Sequence, residues 1–160
     1  MTDGARNAKK LSHVDATGRA RMVDVTEKPE TGRMARARGV IRMLPATVTA
    51  IRGNQTPKGD VLGVARVAGV LAAKRTAELI PLCHTLPLTD VDVALELDDE
   101  LPGVRAEAVA RTVGRTGVEM EAIIAVSIAL VTVYDMAKAI DKTMIVGEIE
   151  LVEKHGGTRL

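Results

Sequence analysis

The sequence predicts an α+β fold, a ferredoxin-like antiparallel sheet with helices packed on one face, and three observations lead there. Four stretches, 34–44, 91–97, 104–112 and 145–152, alternate apolar and polar residues with the period of a strand. Two others, 60–79 and 116–139, repeat apolar residues at helical spacing. From residue 34 onward the order is strand, helix, strand, strand, helix, strand, the split βαβ arrangement of that class.

The elements follow in order. Residues 1–12 are polar and are expected to form a disordered N-terminal tail, leaving 13–160 as one domain. Arg21 to Thr26 alternates briefly and is expected as a short strand. Met34 to Leu44 alternates better, and its Arg36, Arg38 and Arg42, spaced by even numbers, should share one face. Pro45 reads as its stop, and GNQTPKG (53–59) as a turn. Asp60 is the expected N-cap of the first helix, which Pro81 ends. Val91–Leu97 and Val104–Thr112, joined by DDELPG, read as a hairpin. Gly114-Arg115-Thr116-Gly117 breaks the strand, and Thr116 with Glu119 fits a capping box for the second helix. That helix is apolar almost all round and should be buried. Its apolar run, Ala122 to Tyr134, falls short of the roughly 20 residues that span a bilayer.

Composition narrows the function. Tyr134 is the only aromatic residue, so the core is aliphatic and base-stacking platforms are missing. Net charge is +1, but residues 1–42 carry ten Lys/Arg against five Asp/Glu, which suggests an anionic partner or a solvated basic tail. Cys83 is the single cysteine, which excludes an intramolecular disulfide and fits a reducing cytoplasm. No signal peptide is visible in the N-terminal residues, and no nucleotide-loop, HExxH or CxxC motif occurs.

Several residues then stand out. His84, in the loop after the first helix, is either a surface side chain or an acid, base or phosphate ligand on a rigid scaffold. Cys83 beside it fits a small buried hydrophobe. Glu119 and Glu121 lie about 200° apart on a helix, so at least one must point into protein or an interface. Asp135 and Lys138 share a helix face; they form either a surface ion pair worth ~0–1 kcal/mol or a pair tuned for proton transfer. Lys58 precedes a helix start, where phosphates bind. The GRTG loop has the spacing of a nucleic-acid clamp and of ordinary turns alike.

Taken together, LSHVDATGRARMVDV (11–25), KGDVLGVARVAGVLAAKRTAELIPLCH (58–84), TGVEMEA (116–122) and YDMAKA (134–139) resemble the cyclic pyranopterin monophosphate synthase family, the MoaC type. The likeness covers residues 11 to 157, with Thr85 where the family commonly has Pro. It implies a lyase of molybdenum cofactor biosynthesis that converts 3′,8-cyclo-7,8-dihydro-GTP to cyclic pyranopterin monophosphate and releases pyrophosphate. By that resemblance Asp135, Lys58 and Lys138 are catalytic. Leu82, Cys83, His84, Glu119, Met120 and Glu121 bind substrate, and Asp24, Lys28, Arg33 and Arg36 lie near the triphosphate. It also implies a homohexamer, a trimer of dimers with active sites at the dimer interface. No metal site or cofactor is firmly implied; magnesium accompanying the triphosphate stays open. Neither a nucleic-acid nor a membrane partner is expected. An RNA-binding module using the GRTG loop and basic N-terminal strands is the competing reading, and a purely structural oligomerisation protein is a third.

Overall fold

The computed structural model describes residue 14 and residues 17–157; the expected N-terminal tail, 1–12, lies outside them. Its elements are β1 (Thr31–Arg42), α1 (Pro45–Arg52), α2 (Val61–Lys74), α3 (Thr76–Leu79), β2 (Leu88–Asp98), β3 (Gly103–Gly114), α4 (Glu119–Ala137) and β4 (Ile145–His155). The strands pair antiparallel in the order β2-β3-β1-β4, the ferredoxin-like order the alternating segments predicted.

Alternation decides which face each strand buries. Ala35, Ala37, Gly39 and Ile41 of β1 stand opposite Ala110, Ala108, Ala106 and Val104 of β3, and all eight are buried. Their small side chains let α4 lie close on the sheet. Gly69 of α2 serves the same end: a Cβ there would come within 2.8 Å of the Ala125 carbonyl oxygen of α4. Close helix packing therefore replaces aromatic bulk as the source of a dense core. The opposite sheet face carries Arg36, Arg38 and Arg42, as the even spacing required. Arg36 pairs with Glu153 and Glu107, Arg38 with Glu150, and Arg42 with Glu148.

Four local expectations need correction. Arg21–Thr26 is not a strand. The Asp24 carboxylate accepts hydrogen bonds from the Thr26 N–H at 2.9 Å and hydroxyl at 2.6 Å, and this local turn takes the place of ladder pairing. Pro45 is a start as well as a stop. It opens α1, at the one helical position where its missing N–H costs nothing. The helix from Asp60 divides at Arg75, and α3 follows as a single turn in which the Thr76 hydroxyl bonds back to the Ala73 carbonyl at 3.0 Å. Asp60 does cap α2, accepting from Gly63 N–H at 2.9 Å. Thr116 caps nothing: the residue before α4 is Val118, and no side chain caps that helix.

At 19 residues α4 is long and apolar enough to cross a bilayer by length and composition. Ala122, Ala125, Val126, Ala129, Leu130 and Val133 are fully buried against the sheet and α2, so it is the core helix the sequence predicted.

Candidate active site

The charged side chains of interest gather at the two ends of α4. At its N-terminal end, a cavity of about 450 Å³ is lined by Val23, Lys28, Leu82, Cys83, His84, Glu119, Met120 and Glu121, among others. The loop after α3 supplies three of these. The His84 Nε2–H donates to the Val23 carbonyl at 2.8 Å. A carbonyl only accepts, so that ring nitrogen carries the proton. The contact seats the 23–26 turn over the cavity. Cys83 is a thiol here: burial pushes its pKa up, and Glu121 and Glu119 push it further. Glu121 is 4% exposed, and burial first, then Glu119, raises its carboxyl above the usual range. Glu119 is drawn the other way round the helix, where Lys154 pairs with it.

A second cavity of about 450 Å³ adjoins the first, sharing Lys28, Thr116, Gly117 and Glu119 and adding Arg33, Arg115 and Lys154. Arg33 is buried at the start of β1, and its Nε–H donates to the Gly114 carbonyl at 3.2 Å. The chain leaves the sheet over it at Gly156, whose φ is +86°. A Cβ there would sit 2.6 Å from the Gly32 carbonyl oxygen, so glycine alone lets the chain pass. Four cations beside one carboxylate give this pocket a positive balance, at the end of α4 where backbone N–H groups add to the field.

At the far end of α4 stands Asp135. Lys58 Nζ lies 2.5 Å from its Oδ2 and Lys138 Nζ 2.6 Å from its Oδ1, one lysine to each oxygen. The hydrogen bond from Lys138, then that from Lys58, holds the Asp135 carboxyl down at about 2. The same contact raises the Lys138 ammonium above its ordinary value. The attraction of the carboxylate outweighs desolvation because all three side chains are about half exposed.

The two clusters are distinct. Sixteen residues of helix separate Glu119 from Asp135, which at 1.5 Å per residue is about 24 Å. Of the residues singled out in the sequence, Lys28, Arg33, Leu82, Cys83, His84, Glu119, Met120 and Glu121 therefore converge at one end. Lys58, Asp135 and Lys138 converge at the other. Asp24 lies in a shallow hollow beside His84 and Arg115. Arg36 lies on the opposite sheet face, paired to Glu153. Sequence reasoning missed Arg115 and Lys154. Arg115 stood in plain sight inside the GRTG loop, where its Nη1 donates to the Thr26 carbonyl at 2.7 Å. Lys154 has no local signal; its register opposite Ala35 is what turns it to the helix face. Among the described residues no three His, Cys, Asp or Glu side chains group to hold a metal ion.

Fold and site together define a small α+β protein whose acidic and cationic groups suit a polyanionic substrate that exchanges protons. The MoaC family profile matches residues 22–157, and the chain belongs to that family. It is 56% identical over 148 residues to a protein of Brucella ovis named cyclic pyranopterin monophosphate synthase, a match covering 92% of this chain and 90% of that one. Nothing in these likenesses supports the RNA-binding reading, and the GRTG loop instead frames the cationic pocket.

Proposed function

We propose that the chain is a lyase that converts 3′,8-cyclo-7,8-dihydro-GTP to cyclic pyranopterin monophosphate, releasing pyrophosphate, in molybdenum cofactor biosynthesis. The observation that carries this is the 56% identity to a synthase of that name over nearly the whole chain. The charge layout supports it. Lys28, Arg33, Arg115 and Lys154 face one cavity and would neutralise the triphosphate and the departing pyrophosphate. His84, Met120 and Glu121 line the adjoining cavity, sized for a fused-ring base. Burial raises the Glu121 carboxyl, and while it keeps its proton it would donate a hydrogen bond to ring nitrogens or carbonyls. Asp135 stays ionised and holds two ammonium groups; these are the proton donors, and Asp135 accepts a proton only after a ligand separates it from a lysine.

A ring system bound at His84 cannot reach Asp135 across about 24 Å of the same helix. The complete site therefore forms where the N-terminal end of α4 in one copy meets the C-terminal end in another, within a homohexamer arranged as a trimer of dimers. Among the described residues the one carboxylate lining the cationic pocket, Glu119, is engaged by Lys154, so a magnesium ion would arrive with the substrate's triphosphate. The cytoplasm, where thiols stay reduced, suits the lone Cys83. Incubating the purified protein with the cyclised GTP derivative should release one pyrophosphate for each oxidisable pterin formed. Pyrophosphate without pterin, or neither, would refute the reading.

A further inference from the structure

Asp141 is 3% exposed and belongs to neither cluster. It sits three residues past Lys138, in the turn closing α4, where its own N–H donates to the Ala137 carbonyl at 3.1 Å. Both carboxylate oxygens are fully engaged. Oδ2 accepts from the Leu44 N–H at 2.9 Å and the Thr47 hydroxyl at 3.0 Å. Oδ1 accepts from the Thr143 N–H at 2.8 Å and its hydroxyl at 2.7 Å. Leu44 precedes α1, a helix with no side-chain cap of its own and no acid in its first turn. Asp141 therefore supplies from another element the cap that α1 lacks. Helix α1 packs on β2 and β3 and leads through the turn 53–60 to Lys58.

We infer that Asp141 is a positioning residue for the Lys58–Asp135–Lys138 cluster, its carboxylate tying the turn that carries Lys138 to the helix that leads to Lys58. The inference rests on reading that cluster as the proton-transfer group. Asp135 must hold one lysine from each segment on separate oxygens, so sliding α1 against the turn opens one contact or the other. Burial pushes the Asp141 carboxyl up, but the donors from Leu44, Thr143 and Thr47 more than offset it and keep the group ionised, as a four-bond anchor needs.

The test compares Asp141→Ala, Asp141→Asn and Thr47→Val with Asp135→Asn, all checked for wild-type oligomer size and for melting well above assay temperature. Asp141→Ala is expected to lower kcat about 10- to 100-fold with KM within about twofold, the cost of misplacing a reacting group by about 1 Å. Asp141→Asn, which keeps one accepting oxygen, should recover part of the loss. Thr47→Val should show a smaller loss of the same kind. Carbon-13 titration of the Asp135 carboxyl is the readout that a merely structural role would not move. In Asp141→Ala its pKa should rise from about 2 toward 3.8 as the lysine contacts loosen. A folded Asp141→Ala with wild-type kcat and an unchanged Asp135 titration overturns the inference. If that variant does not fold, the same two results in Thr47→Val overturn it. Should Asp135→Asn keep normal turnover, the reading of the cluster fails instead, and the Asp135 titration still decides whether Asp141 positions it.

Discussion

Mixing two inactive variants should restore activity, and the extent follows from the separation of the clusters along α4. His84→Ala removes a group at one end and Asp135→Asn one at the other, about 24 Å away in the same chain. Each variant alone should lose about 10²- to 10⁴-fold in turnover. If every site takes its His84 half from one copy and its Asp135 half from another, a 1:1 mixture that has exchanged subunits draws each half intact with a chance of one in two. About one site in four is then wild type, and the mixture should reach about a quarter of wild-type turnover. Pyrophosphate release from the cyclised GTP derivative measures it, and native mass spectrometry confirms exchange. If exchange is complete and the mixture is no more active than its parents, the composite site is wrong.

Other consequences are more local. Glu121→Gln replaces a buried acid by a neutral isostere. Because the folded-state pKa is raised above 4.5, the native acid contributes most below that pH and loses its contribution as pH rises through the folded value. The variant's melting temperature should therefore gain on wild type from acid to mildly alkaline pH; a constant difference would show that Glu121 ionises freely. Lys138→Ala should let the Asp135 carboxyl rise from about 2 toward 3.8, so the stabilisation from its ionised form, present above 3.8 and lost as pH falls toward 2, should shrink in acid melts. An unmoved Asp135 titration would argue against the contact. Gly69→Val should cost about 1–3 kcal/mol by urea unfolding, since its Cβ meets backbone rather than a movable side chain. A neutral result would mean that α2 and α4 pack less tightly than 2.8 Å implies.

The strands were legible because one face is buried: Val91, Val93, Leu95 and Leu97 point one way and Asp92, Ala94 and Glu96 the other. The same alternation misled at Arg21–Thr26, where Asp24 satisfies backbone locally and the segment pairs with none of the four strands. Helix α1 escaped because a proline that ends a strand and one that begins a helix look alike without neighbours. Individual site residues were visible as charges in odd company: Glu119 and Glu121 do point apart, one to Lys154 and one inward. Their division between two ends of α4 was visible too, because the predicted helix over 116–139 carries Glu119 and Asp135 near opposite ends. Lys154 stayed hidden because only strand register brings it beside Arg33, and Arg115, though visible in the GRTG loop, is brought there only by the loop's path. Spacing placed Asp135 and Lys138 on one face, but the second lysine on Asp135, Lys58, comes from a distant turn and only the fold brings it there.

The decisive observation is where a slow substrate sits in the assembled protein. A crystal structure of the Asp135→Asn oligomer soaked with the cyclised GTP derivative should show the triphosphate on Lys28, Arg33, Arg115 and Lys154. The ring system should lie within hydrogen-bonding reach of His84 from one subunit and of Lys58 or Lys138 from another. A ligand contacted at only one end of α4, with positions 58, 84, 135 and 138 remote in every pair of neighbouring copies, would contradict it.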